Sequence, residues 1–116
     1  MKITEIAEKL GLEVVSAGHW EREAKCCYAS DMLSDVLANG TEGCLWITRQ
    51  SHPNIVAVAS IRGMAGIIIA GGRQINPETI EKAGQEQVMI FSTPKQTCEL
   101  AGRLYLMLSK EREAAG

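Results

Sequence analysis

Aromatic side chains are scarce in this chain: one Phe, two Tyr and two Trp stand among 116 residues. With hydrophobic residues at 46%, the core must be aliphatic, a composition suited to a sheet buried on both faces. No dense Lys/Arg cluster occurs and the formal net charge is −2, which excludes the footprint of a nucleic-acid binder. Long apolar runs are missing too. The longest, residues 55–70, is broken by Arg62 and is not a membrane span. The first twenty residues carry Glu5, Lys9 and Glu13 and no signal-peptide core, so a cytoplasmic protein is expected. In that compartment the four cysteines are expected as free thiols.

Proline is rare as well, and its three positions are informative. Cys44–Thr48 leads to His52-Pro53, Gly66–Ala70 to Asn76-Pro77, and Val88–Phe91 to Thr93-Pro94. Each proline follows a strand-like run and precedes a helix-like stretch. Proline suits the first helical turn because its missing N–H would be unpaired there. The repeated pattern predicts a mainly parallel sheet with helices on both faces, in a single α/β domain spanning residues 1–116. Three helix N-termini would then line the carboxyl edge of the strands, where open α/β sheets bind ligands and helix ends attract anions.

Other elements follow from local signals. Thr4 can cap a short helix, residues 5–10, closed by Gly11. Residues 12–17 and 25–29 read as strands, with a polar, irregular segment between them. Ser30 or Asp31 would cap a helix whose apolar positions are Met32, Leu33, Val36 and Leu37, ended by Asn39-Gly40. Residues 54–62 are rich in β-branched side chains, yet a strand there would leave no crossover of adequate length after Cys44–Thr48; a helix is expected. Thr93 and Gln96 form a capping box around Pro94. Beyond it Thr97, Ala101, Leu104, Tyr105 and Leu108 make an apolar stripe. Residues 109–116 are expected to fray.

The run Asp31–Asn39, then Leu45–Thr48, then His52–Ala59 resembles the DRTGG domain family. So do Ile67–Arg73, Ser92-Thr93-Pro94 and Glu99–Leu104. Of the name-giving Asp-Arg-Thr-Gly-Gly, Gly71-Gly72 is present, after Ile69-Ala70. The resemblance implies an α/β domain similar to the amino-terminal domain of HPr kinase/phosphorylase. It also implies a regulatory, homodimeric and non-catalytic role. Stand-alone relatives often carry the label of hydrogenase-associated or iron-sulfur-binding proteins, which implies an iron-sulfur cofactor and a hydrogenase-system partner as the alternative. No phosphate-binding Gly-x-x-x-x-Gly-Lys-Ser/Thr loop occurs, so kinase activity does not carry over.

Candidate ligand-binding residues cluster at the predicted strand ends: Thr48, Ser51, His52, Gly71, Gly72, Arg73, Ser92 and Thr93. The two glycines could let backbone N–H groups approach an anion, and Arg73 could fork onto a carboxylate or phosphate. The competing reading is a plain turn with Arg73 in solvent. His52 could bind phosphate or move a proton, or simply cap the following helix. No Ser, Cys or carboxylate stands at catalytic spacing beside it, so an enzyme ranks last. The expected ligand is an anionic metabolite or nucleotide.

Cys26, Cys27, Cys44 and Cys98 lack the Cys-x₂-Cys spacing of cluster or zinc sites. Adjacent cysteines on a strand would face opposite ways. Small buried hydrophobes are the default, with Cys26, Cys27 and Cys44 sharing iron across a dimer interface as the alternative. Trp20 and Trp46 could frame a pocket, though Trp46 sits mid-strand and reads as core.

Overall fold

A computed structural model describes residues 1–19 and 21–115; Trp20 lies outside them. Ten elements follow one another: α1 (Ile3–Leu10), β1 (Glu13–Ser16), β2 (Cys26–Ala29), α2 (Leu33–Asn39), β3 (Cys44–Thr48), α3 (Asn54–Arg62), β4 (Gly66–Ile69), α4 (Pro77–Glu86), β5 (Ile90–Ser92) and α5 (Thr97–Ala115). The five strands form one sheet in the order β1-β5-β4-β3-β2. Strands β2 to β5 run parallel, while β1 pairs antiparallel with β5. Among the described residues no helix is long and apolar enough to cross a membrane.

Period-two alternation along each strand divides the apolar side chains between two cores. Leu45, Ile47, Ile68 and Phe91 face one side, where Ile3, Ile6 and Leu10 of α1 meet Leu100, Leu104 and Leu108 of α5. Trp46, Ile67, Ile69 and Ile90 face the other, against Val36 of α2, Ile55, Val56 and Ala59 of α3, and Ala83 of α4. All five residues of β3 and all four of β4 are buried, as strands covered on both faces require. Helices therefore lie on both faces, with the three crossover helices sharing one. The segment 54–62 is the helix α3: Ile55, Val56 and Val58 fill the second core while Ile61 stays exposed, and Gly63 closes it in the left-handed conformation.

Three local readings shift. Helix α1 begins at Ile3, with Lys2 before it, so Thr4 lies inside the helix and caps nothing; burial of Ile3 pulls the start forward. Helix α5 begins at Thr97 rather than at Pro94. The Thr93 hydroxyl accepts from the Lys95 N–H, a local turn that replaces the capping box. The buried stripe of α5 is Leu100, Leu104 and Leu108, while Tyr105 is 61% exposed. The helix runs on to Ala115, with the Glu111 carboxylate paired to the Met1 ammonium.

The cysteines also depart from the free-thiol reading. Parallel register sets Cys26 opposite Cys44, with Cα atoms 4.4 Å apart, and the two are joined as a disulfide. Cys27 and Cys98 remain free.

Candidate functional site

Successive parallel strands deliver three loops to one sheet edge. The loop after β2 carries Asp31, the loop after β3 carries Arg49, Gln50, Ser51 and His52, and the loop after β4 carries Arg73 and Asn76. These seven residues line a polar cleft of about 370 Å³. Its position beyond the strand carboxyl ends is the one that open α/β sheets use for ligands.

The loops are pinned by side chains that belong to the site or lie just behind it. Thr48, fully buried, donates its hydroxyl to Asp31 Oδ1 at 3.0 Å and accepts from the Gln50 N–H at 3.1 Å. Asp31 Oδ1 also accepts the Arg49 N–H at 2.7 Å, and the Gln50 side-chain amide donates to the Asp31 carbonyl at 3.2 Å. Asp31 thus bonds across to the β3 loop rather than capping α2, which starts after Met32 with no side-chain cap; the Ser30 hydroxyl accepts from the Met32 N–H just before the helix. Ser51 contributes its carbonyl, which accepts from the buried Thr79 hydroxyl of α4 at 2.6 Å.

His52 caps α3: its Nδ1 accepts the Asn54 N–H at 3.1 Å. With Nδ1 acting as acceptor, Nε2 carries the ring proton and is a donor. Asn76 does the same for α4, its Oδ1 accepting the Glu78 N–H at 2.9 Å, which leaves its side-chain NH₂ as a donor.

The glycines serve the site differently from a phosphate-cradling loop. Gly71 and Gly72 have positive φ, 83° and 65°, but their N–H groups are already engaged. Gly71 donates to the Lys95 carbonyl and Gly72 to the Thr93 carbonyl. These bonds tie the β4 loop to the segment after β5. Gly71 has a second role, as the floor beneath Arg49: a Cβ there would sit 3.3 Å from Arg49 Nε.

Of the residues singled out in the sequence, Ser51, His52 and Arg73 line the cleft. Thr48 stands behind it, Gly71 lies under Arg49, and Gly72 and Thr93 bond to one another. Ser92 ends β5 and is not among the lining residues. Sequence reasoning passed over Asp31, Arg49, Gln50 and Asn76. The signal for all four was positional: each lies within two residues of the end of a parallel strand or directly before a helix start, on the edge already identified.

The cysteines lie elsewhere. Cys26 and Cys44 pack on the α2–α4 face and Cys27 on the α5 face. Burial raises the pKa of the Cys27 thiol, an effect that Arg112 partly opposes. Trp46 is core, its indole N–H donating to the Ser30 carbonyl at 2.8 Å.

A crystal structure of the CBS and DRTGG domains of the regulatory region of Clostridium perfringens pyrophosphatase, complexed with the activator diadenosine tetraphosphate, has the same fold. The TM-score is 0.70 at 18% identity, over 92% of this chain. This chain spans 46% of that one. No curated protein matches the sequence. The shared fold and a match to the DRTGG domain model over residues 5–107 agree: the chain belongs to the DRTGG domain family.

Proposed function

We propose that this domain is a non-catalytic regulatory module that binds a phosphorylated small molecule in the cleft at the strand carboxyl ends. The observation that carries the reading is the meeting of two guanidinium groups, Arg49 and Arg73, from separate loops in one cleft. Guanidinium groups present paired N–H donors that match phosphate oxygens. The Nε2 donor of His52 and the NH₂ donor of Asn76 add to the same anion-binding set.

The response to ligand would follow from geometry. A ligand bridging Arg49 and Arg73 links the β3–α3 loop to the β4–α4 loop and favours the conformations in which both are in place. The structural neighbour supports a regulatory reading, because that region of the pyrophosphatase was crystallised with an activator that is a nucleotide. Self-association belongs to the same proposal. Tyr105 and Leu106 stand exposed side by side on α5, 61% and 55% accessible, an apolar surface suited to a partner.

Thermal-shift and calorimetric titration with a panel of phosphorylated metabolites tests the cleft. Ligand at about 100 times its Kd stabilises the fold by about 2.7 kcal/mol, a rise of several degrees in Tm. The double variant Arg49→Ala/Arg73→Ala, altered only at exposed side chains, should fold normally and lose that shift. If the shift survives in the double variant, the cleft is not the site.

A further inference from the structure

We infer that the ligand is a phosphorylated sugar, held by its phosphate on the arginines and by a hydroxyl on Asp31, without recognition of a base. This inference rests on the anion-site reading above and deepens it. Its starting point is the carboxylate standing among donors. Asp31 Oδ1 is occupied by the Thr48 hydroxyl and the Arg49 N–H, and these two bonds fix the plane of the carboxylate. Oδ2 takes no hydrogen bond from the described residues. Asp31 also forms no ion pair with Arg49 or Arg73 among the described residues, so its charge is not consumed by the arginines beside it.

The balance of groups then selects the ligand. Arg49, Arg73, the His52 Nε2–H and the Asn76 NH₂ ask for an acceptor-rich group. Asp31 Oδ2 asks for a donor. Apart from the imidazole, two guanidinium charges and one carboxylate leave one net positive charge in the cleft. A compact polyanion such as pyrophosphate would satisfy the arginines but crowd negative charge against Asp31. A phosphate monoester with free hydroxyls satisfies both sets. A carboxylate accepting from a sugar hydroxyl is also how dinucleotide-binding folds hold ribose. The lining residues include no aliphatic side chain and no Trp, Tyr or Phe. A nucleobase could stack only on the His52 imidazole or on a guanidinium plane, groups that the phosphate engages in this reading.

Isothermal titration of the full chain with five probes tests this: ribose 5-phosphate, methyl phosphate, pyrophosphate, AMP and adenosine. Ribose 5-phosphate should bind about tenfold or more tighter than methyl phosphate, the worth of one hydrogen bond to a charged acceptor. AMP should match ribose 5-phosphate within about threefold, and adenosine should not bind. Asp31→Asn keeps an oxygen for Thr48 and Arg49 but replaces the free acceptor with a donor. It should bring ribose 5-phosphate and methyl phosphate to near parity and strengthen pyrophosphate. If the variant does not fold, the wild-type ratio of ribose 5-phosphate to methyl phosphate still decides.

Pyrophosphate or methyl phosphate binding as tightly as ribose 5-phosphate would overturn the sugar assignment and leave the anion site standing. A wild-type preference unchanged in a folded Asp31→Asn protein would overturn it equally. AMP binding far tighter than ribose 5-phosphate would show that a base is read and overturn that part. Failure of every phosphorylated probe to bind would overturn this inference and the anion-site reading together.

Discussion

The carboxylate of Asp31 accepts the backbone N–H of Arg49 at 2.7 Å, joining the loop that leaves β2 to the loop that leaves β3. The same oxygen takes the hydroxyl of Thr48, so a buried threonine sets the position of an exposed arginine through one shared acceptor. Thr48→Val keeps the volume of this fully buried residue and removes both of its polar contacts, to Asp31 and to the Gln50 N–H. We expect a loss of about 1–2 kcal/mol in urea or thermal unfolding. Affinity for phosphorylated ligand should fall with it, because Asp31 and Arg49 lose their common anchor. A variant with unchanged stability and unchanged binding would show that the Thr48 hydroxyl anchors neither loop.

Gly71 and Gly72 can be told apart by a matched pair of substitutions. Both have positive φ, so alanine at either should cost about 1–2 kcal/mol through backbone strain. Their surroundings differ. An added Cβ at Gly71 meets Arg49 Nε at 3.3 Å, whereas at Gly72 the nearest atom is Pro94 Cα at 3.8 Å, an ordinary contact. Gly71→Ala should therefore weaken binding of a phosphorylated ligand by displacing Arg49, while Gly72→Ala loses stability alone. Equal affinities in the two variants, measured below their melting temperatures, would remove Gly71 as the floor beneath Arg49.

Much of the architecture was legible because it is written in local order. Three prolines after apolar runs mark three strand-to-helix passages, and the crossover requirement turns the β-branched segment 54–62 into a helix. The edge where the cleft lies followed from the same pattern. What was not legible depends on pairings distant along the chain. Asp31 reads as a helix cap until its acceptor is seen to meet Thr48, 17 residues on. The N–H groups of Gly71 and Gly72 read as free until the segment after β5 folds back to take them. The pairing of Cys26 with Cys44 depends on strand register, which spacing alone does not set. The start of α5 was misplaced because Thr93 finds its partner two residues away, at Lys95, instead of three.

The cysteines should fall into three classes of reactivity. Cys98 is exposed and free, Cys27 is half-buried and free, and Cys26 is bonded to Cys44. Burial, although Arg112 opposes it, raises the Cys27 thiol pKa, so little thiolate is present at neutral pH. Iodoacetamide on the folded protein should modify Cys98 quickly and Cys27 slowly, giving at most two adducts by intact mass. Four adducts should appear only after denaturation and reduction. Reduction should also lower stability by about 3 kcal/mol, the chain-entropy value for a loop of this size. Four adducts on the untreated protein would remove the disulfide.

Tyr28 and Asp35 make the fold sensitive to pH from both ends of the scale. Asp35 accepts from the Asn39 side chain at 3.0 Å and from the Tyr28 hydroxyl at 3.0 and 2.9 Å. Hydrogen bonds from Asn39, then Ser30 and Tyr28, hold its carboxyl below the usual range. A depressed folded-state value means that the stabilisation is present above the ordinary Asp pKa near ~3.9 and is lost as pH falls through the lower folded value. For Tyr28 the hydrogen bond to Asp35, then partial desolvation and the Asp35 charge, raise the phenol. Its contribution is present below the ordinary Tyr pKa near ~10 and is lost as pH rises through the higher folded value. Tyr28→Phe should move the Asp35 carboxyl upward in a carbon-detected NMR titration and shift the acid limb of the stability curve to higher pH. Because Asn39 and Ser30 remain, the shift should be only partial, and adding Asn39→Ala should carry it further. An Asp35 titration that does not move in Tyr28→Phe would show that the phenol donates elsewhere in solution.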